Sequence, residues 1–503
     1  MIKRNITANI VGRAWGFISV YLFVPLYLHM LGAEAYGLVG FYSTLLGVLA
    51  FADMGFSATL NREMARLSAS GNAAQERRDL LRTYELSYLA ICCVLAAAIV
   101  AGAPWITAHW LQASTLDAAQ ITSAIRLMGI AIAFQLPSGL YIGGLMGLQQ
   151  QVRANSLQIA WSAYRGFGTL LVLWLWSPTI VSFAVCQVVA NAIYCISARH
   201  GLWRALNAGG VRVAGFFRWQ VFHGTWRYAS GMAGMALLSI LLTQVDKLTV
   251  SKVLSLEMLG FYTLAGSLAA VPLMLASPIA AAIFPRFTEL VAAAQHEQLL
   301  ALYHRTCQLV AVAIVPGALA VALFSRDVIY LWTGSPGTAD AAALAASLLL
   351  GGQLLQALTV VPYYLALAHG NIRLNLQIGI VSVVLVTPMM IYLVMHHGLA
   401  GAGLSWLIMN LCTLPPYMYF LHRNFLPGQL GRWFWRSLAV PVLACLPCLA
   451  LGYGYLATVD GRWLRLVLIA MTALLAIACS ALAAPEIRHA LARRLPGMKA
   501  RHG

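Results

Sequence analysis

The sequence predicts an all-α integral membrane protein of about 14 transmembrane helices, and three observations carry that prediction. Of 503 residues, 61% are apolar and only 9% are charged, with a mean hydropathy of +0.79, whereas ordinary soluble domains are about 25% charged. The apolar stretches are continuous and rich in Leu, Ala, Gly and Met, which excludes a transmembrane barrel, whose strands alternate apolar and polar. Basic residues collect in alternate segments between those stretches. A helix crosses ~30 Å of hydrocarbon with about 20 residues, so the apolar content supplies a dozen or more spans and leaves almost nothing for a soluble domain.

In chain order the expected spans are 6–30, 37–60, 83–103, 121–148, 157–176, 179–198, 229–250, 258–284, 306–325, 341–368, 374–396, 400–421, 437–457 and 463–483. The first follows Lys3-Arg4, is too long for a signal-peptide core and lacks a small-residue cleavage site, so it is expected to stay as a span. One side of the membrane then receives Arg62, Arg66, Arg77, Arg78, Arg82, Arg153, Arg199, Arg204, Arg212, Arg218, Arg227, Arg286, Arg305, Arg373, Arg423, Arg432, Arg436 and the basic tail. The other keeps Arg326, Arg462 and Arg465, with Lys252 near it. The positive-inside rule therefore expects both termini in the cytoplasm, and an even number of spans requires the same. The net charge of +17 is explained by this asymmetry rather than by nucleic acid.

An internal repeat divides the chain. Leu31-Gly-Ala-Glu34-Ala-Tyr-Gly37 returns 223 residues later as Leu254-Ser-Leu-Glu257-Met-Leu-Gly260, and Arg153-Ala-Asn155 returns as Arg373-Leu-Asn375 at an offset of 220. Each copy holds six spans, so both have the same orientation and are related by an axis along the membrane normal. The expected organisation is an amino-terminal lobe over 1–200, a basic linker over 201–228, a second lobe over 229–422, and two further helices with a basic tail over 423–503. The linker interleaves arginines with Phe216, Phe217, Trp219, Phe222 and Trp226. It suits either an amphipathic helix on anionic headgroups or an ordinary loop with interfacial aromatics.

Charged side chains within spans are the candidate functional residues, because a charge in hydrocarbon needs a partner or a cavity. Arg13 and Arg165 are both expected well inside their spans, with Asn9 one turn before Arg13 and Asp53 at the cytoplasmic end of span 2. Two arginines and one acid leave net positive charge for an anionic ligand, or form a structural ion pair. Arg126 either lines the cavity or snorkels to headgroups. Asp246-Lys247 is either a gate or coupling-ion site, or a local anchor. Pro137, Gly139, Gly143, Gly144 and Gly147 in span 4 are expected to weaken or kink it. Tyr42, Tyr141, Trp161 and Tyr164 are candidates to stack on sugar rings, or are core and lipid-facing aromatics. The nine cysteines all fall in expected spans. Cys445-x-x-Cys448 lacks His or acidic neighbours and is read as packing, and His396-His397 as surface, so neither a disulfide nor a metal is assigned. No phosphate-binding loop, zinc motif or external segment large enough for a catalytic domain is present, so an enzyme is not expected.

The run from Pro25-Leu-Tyr-Leu through Gly37 to Ala52-Asp53-Met-Gly55-Phe and Asn61-Arg62-Glu63, with Gln244-Val-Asp246-Lys247 and Leu254 to Gly260 opening the second half, resembles the Wzx-type polysaccharide-biosynthesis (O-antigen) flippases. The resemblance implies the fold of the multidrug, oligosaccharidyl-lipid and polysaccharide exporter superfamily, with two six-helix lobes in a V around a cavity. It implies a cargo of undecaprenyl-pyrophosphate-linked oligosaccharide, flipped from the cytoplasmic to the outer leaflet of the inner membrane by alternating access, for O-antigen, capsule or exopolysaccharide. Arg13, Arg62 and Arg165 would then bind the pyrophosphate, with Asn9, Asp53, Arg126, Asp246 and Lys247 at the cavity or in coupling. Implied partners are that cargo, membrane lipids and the polysaccharide polymerase machinery. No cofactor is expected; a proton or sodium ion is the candidate coupling ion. Arg13 stands where the sister drug exporters commonly carry an acid, which favours an anionic cargo. A cation-coupled multidrug exporter and a membrane glycan polymerase or ligase are the alternatives.

Overall fold

The computed structural model describes every residue except 1, 70–73, 208–213, 221–222, 224–239, 241, 372, 457 and 493–503; at 2–10, 13, 69, 374 and 489–492 it describes the backbone alone. The described residues are almost wholly helical and form no strand, only a single bridge between Gln112 and Ser255. The chain divides into two compact units, Met1–Gly260 and Phe261–Gly503.

Unit 1 contains α1 (Ile2–Leu31), α2 (Ala33–Leu49), α3 (Phe56–Ala69), α4 (Ala74–His109), α5 (Ala118–Gly147), α6 (Gln151–Leu175), α7 (Ile180–Leu206) and α8 (242–253), and α9 (Leu256–Ala269) begins in it. The expected second span is interrupted. After α2 comes a 3₁₀ turn, Ala50–Asp53, and then Met54 (φ 44°) and Gly55 (φ 76°) in left-handed conformation. Left-handed backbone at two successive residues ends a helix, so Phe56 onward forms the separate α3.

The small residues of α5 act differently from expectation. Pro137 lies inside an uninterrupted helix, while a Cβ at Gly143 would fall 2.7 Å from the Ser57 carbonyl oxygen and one at Gly147 would strike that of Asn61. The glycine stripe is thus a seam on which the backbone of α3 lies against α5, a use of small residues common in membrane helices.

Two turns tie the opposite end of unit 1 together. Glu34, at the start of α2 and buried, accepts from the backbone N–H of Ser114 (2.6 Å) and Thr115 (2.9 Å) and from the Thr115 hydroxyl. From the same 110–117 loop, Trp110 Nε1 donates to Ser251 Oγ (3.0 Å) and the Gln112 carbonyl accepts from Leu256 N (2.9 Å). Beneath this strap the repeat-related glycines meet: a Cβ at Gly37 would collide with the Leu256 carbonyl, and one at Gly260 with that of Ala33. The contact is reciprocal, as two-fold-related segments make it.

The described part of the linker runs extended beside α4 at 214–218 and is not an amphipathic helix there. Asp79 accepts from Phe216 N (2.9 Å) and pairs with Arg218 (2.5 Å), and Thr83 Oγ1 accepts from Arg218 N (3.0 Å). Phe216, Phe217 and Trp219 are exposed; Phe222, Trp226, Arg212 and Arg227 lie outside the described residues.

Unit 2 continues with α10 (Val271–Ala292), α11 (His296–Leu323), α12 (Ser325–Thr333), α13 (Pro336–Leu358), α14 (Val360–Ala368), α15 (Arg373–Phe425), α16 (Leu430–Trp433), α17 (Val440–Leu456), α18 (Arg462–Ala483) and α19 (Pro485–Ala492). A core that includes Phe287, Tyr303, Phe324 and Leu421 joins α10, α11 and α15. Gln308 bridges two elements, donating to the Arg436 carbonyl (3.1 Å) and accepting from Glu486 N (2.8 Å).

Among the described residues, eleven segments are long and apolar enough to cross a membrane. Ten coincide one to one with expected spans. The eleventh, Asn375–Phe425, covers two of them, broken where Gly398 adopts φ 56°. The fifth expected span is the helix α6, which is more polar than the rest, and the seventh falls largely on residues outside those described.

Candidate functional site

Arg165 is a cation near the middle of its helix. It lies 14 residues beyond Gln151 and ten before Leu175 on α6, hence ~21 Å and ~15 Å along the axis from the two helix ends. Its guanidinium stands over the Trp161 ring, 4.5 Å from the centroid. A cation held against a ring face in a low-dielectric setting is stabilised by the ring quadrupole, but its charge is not neutralised. Among the described residues no carboxylate lies within ion-pair distance of Arg165.

Behind Trp161 sits an uncharged network. Trp161 Nε1 donates to Asn191 Oδ1 (3.0 Å), Asn191 Nδ2 donates to the Tyr42 hydroxyl (3.1 Å) and Gln135 Oε1 (3.1 Å), and the Tyr42 hydroxyl donates to Gln135 Oε1 (2.8 Å). Asn191 is fully buried, so these bonds satisfy a polar group that would otherwise oppose folding. The ring of Trp161 also stacks on Tyr194, with centroids 4.8 Å apart. Tyr42 and Trp161 are therefore committed to the core of unit 1, and Tyr141 is too, as its hydroxyl donates to Glu85 Oε1 (2.9 Å). Tyr164 is 47% exposed.

Arg165 also closes one end of a pocket of about 530 Å³ between α6 and α7. Its walls are Gly168, Leu171 and Val172 from α6 and Val181, Val185 and Val189 from α7, and Trp176 stands at the other end.

The arginine-rich end of unit 1 holds a second charged cluster. Glu85 is fully buried and pairs with Arg82 (3.0 Å) and Arg199 (2.5 Å) as well as Tyr141. Two guanidiniums on one carboxylate leave a positive charge, and both arginines are partly exposed, at 37% and 48% of their side chains. Arg78, also buried, donates to Asn207 Oδ1 (3.1 Å).

The other sequence-derived candidates are dispersed. Arg62 is on α3 and exposed, pairing with Glu63 (2.9 Å), which also holds Arg66 (2.7 Å). Burial pushes the Glu63 carboxyl up, but the bonds from Arg66 and Arg62 outweigh it and hold it below its ordinary value. Asp53 Oδ1 accepts from the backbone N–H (3.3 Å) and hydroxyl of Ser57, which caps the start of α3. Arg126 is exposed on α5. Asp246 is buried, and Lys247 lies 3.5 Å from it while donating to the Thr243 carbonyl (3.0 Å). Arg13 and Asn9 lie on α1, and their side chains are outside the described residues.

Sequence reasoning missed the Glu85 cluster: Glu85 falls two residues inside the expected span 3 and is not among the charged candidates, while Arg82 and Arg199 fall one residue outside spans 3 and 6. The helices α4 and α7 run past those hydropathy boundaries and bring Glu85 and Arg199, 114 residues apart, together. The available local signal was the Arg82…Glu85 spacing of three on one helix face.

These features define a multi-pass membrane protein with the fold of flippases and multidrug transporters. A solved structure of the lipid II flippase MurJ in an inward closed conformation superimposes with a TM-score of 0.70 at 13% identity, covering 96% of this chain and 98% of that one. An inward-facing multidrug resistance MATE family transporter of the MOP superfamily gives 0.67 at 13% identity, covering 82% and 95%. In sequence, a Shigella flexneri protein described as "Putative O-antigen transporter" is 20% identical over 301 residues, 60% of this chain and 70% of that protein. The amylovoran biosynthesis protein AmsL of Erwinia amylovora is 31% identical over 127 residues, 25% of this chain and 32% of its own. Residues 2–291 match the model of the family described as polysaccharide biosynthesis protein, and the chain belongs to that family. The family and these neighbours are transporters and flippases, not enzymes.

Proposed function

We propose that this protein flips a lipid-linked oligosaccharide, joined to its lipid through pyrophosphate, from the cytoplasmic to the outer leaflet of the bacterial inner membrane by alternating access. The observation that carries the reading is Arg165: a guanidinium at mid-span with an aromatic face beside it and no carboxylate partner among the described residues. Guanidinium binds phosphate through paired, charge-assisted hydrogen bonds, so a diphosphate passing this level would supply the missing counter-charge. Arg82 and Arg199, partly exposed around one buried Glu85, offer a first positive station, with Arg62 on α3 and Arg13 on α1 contributing further charge. The network of Tyr42, Gln135 and Asn191 behind Trp161 is uncharged, so at that level it offers no carboxylate to a coupling cation. The basic segments favour both termini in the cytoplasm by the positive-inside rule.

The test is the sidedness of lipid-linked oligosaccharide in cells lacking the protein, probed in spheroplasts with a membrane-impermeant glycan oxidant. Flipping predicts that complete units accumulate but stay protected until the membrane is opened. Units that accumulate exposed would point to a downstream polymerase or ligase, and absence of any accumulation to a drug exporter.

A further inference from the structure

We propose that the pocket between α6 and α7 is a lipid-chain site, in which the proximal isoprene units of a polyprenyl diphosphate lie while its diphosphate is bound by Arg165. The inference rests on the proposed function and adds to it the place where the cargo's lipid is held.

Three features of the pocket select this ligand. Its walls are apolar, and its outward-lying side chains are open to the surroundings, with Leu171 54% exposed and Val185 and Val189 each 44%. A hydrocarbon chain entering from the bilayer gains little from apolar contact alone, since lipid tails are as apolar as valine, so specificity has to come from a polar group. The polar lining includes Thr169, which accepts from Gln187, and Ser182, which bonds Thr179, leaving the Arg165 guanidinium as the cationic group to be matched. The ligand is therefore an anion with a hydrocarbon chain.

Depth decides which anionic lipid it is. A resident phospholipid keeps its phosphate at the headgroup level, near the edges of a ~30 Å hydrocarbon layer. Arg165 lies ~15 Å or more along α6 from either helix end, so a phosphate bound to it sits far from both ends of the helix. A lipid whose head group is carried through the membrane brings a phosphate to this level, and phosphatidylglycerol competition tests the resident-lipid alternative. With the diphosphate on Arg165 and Trp161 fixing the guanidinium plane, the chain follows the valine wall toward Trp176.

The experiment measures binding of undecaprenyl diphosphate and of inorganic pyrophosphate to full-length protein in nanodiscs. It compares wild type, Val185→Trp, Leu171→Trp and Arg165→Gln, with phosphatidylglycerol as competitor. Both tryptophan variants replace exposed side chains and fill the groove without entering the core, and thermal unfolding in detergent checks that each remains folded. The expected result is at least tenfold weaker undecaprenyl diphosphate binding in both tryptophan variants with pyrophosphate binding unchanged, and weaker binding of both in Arg165→Gln. Wild-type affinity for undecaprenyl diphosphate in both folded tryptophan variants overturns the groove, as does equal competition by phosphatidylglycerol. If the sidedness assay also shows flipping, the functional reading survives that failure. If wild type binds no undecaprenyl diphosphate, both fail together.

Discussion

Unit 1 buries Glu34, Arg78, Asp79, Glu85 and Asp246, whereas the buried polar side chains described in unit 2 are hydroxyls, amides and imidazoles, such as Gln308, His304, Asn410 and His422. The charges of unit 2 lie nearer its surface: Arg326 with Asp340 (2.6 Å), Arg465 with Asp327 (2.7 Å), and Arg432 and Arg436 with Glu486. The two units thus meet the same problem, polar groups inside a membrane protein, with different chemistry. A buried amide needs only hydrogen bonds, while a buried charge also needs counter-charge or several dipoles. Unit 1 supplies both kinds of compensation, arginines around Glu85 and neutral N–H and O–H donors around Glu34. Among the described residues Arg165 has the Trp161 ring but no carboxylate partner, and under the proposed function that exception makes unit 1 the half that would handle an anion.

The comparison orders the expected effects of mutation. The largest is on transport: Arg165→Gln should lower flipping at least tenfold at normal protein level, measured by oxidant sidedness, and Arg165→Lys should recover part of it, because a point charge replaces a planar fork. Next is Glu85→Gln, which leaves Arg82 and Arg199 facing an amide. It should destabilise unit 1 by about 3 kcal/mol in detergent unfolding, at the upper end for hydrogen bonds to charged groups. Glu34→Gln keeps some of the bonds to Ser114 and Thr115 and should lose about 1–2 kcal/mol. Gln308→Leu in unit 2 leaves the Arg436 carbonyl and the Glu486 N–H without their partner and should cost about 1–2 kcal/mol, as for neutral groups left unpaired. A larger loss from Gln308→Leu than from Glu85→Gln would break the comparison.

The smallest effect is on pH dependence. Because the Glu63 carboxyl is held below its ordinary value, its contribution is present above the unfolded pKa of about 4.3 and is lost as pH falls through the lower folded value. Arg62 and Arg66 are exposed, so screening keeps the effect slight. Unfolding of Glu63→Gln compared with wild type should differ in slope only at acid pH.

Much of this architecture was legible in the sequence, because hydropathy and charge asymmetry are properties of whole segments. Spans 11 and 12 were separable in the sequence, and the backbone breaks between them at Gly398. The repeat pointed to Gly37 and Gly260, which the structure brings into contact. Arg165 was legible as a single charge in an apolar run. What stayed hidden depends on distant partners: Glu85 finds Arg199 and Glu34 finds the 114–115 turn only through packing. Asp53 was singled out for its charge, but its cap on Ser57 follows from the local break at Met54–Gly55, which hydropathy does not register. The glycines of α5 showed their composition but not their use, because a packing seam and a hinge have the same residues.

The most direct test of the central claim is complementation of a strain lacking the protein with Arg165→Gln, reading the sidedness of the accumulated lipid-linked oligosaccharide against wild type at matched membrane levels. The account predicts that units remain protected on the cytoplasmic face in the variant and are cleared in the wild type. Clearance by Arg165→Gln at the wild-type rate would contradict it.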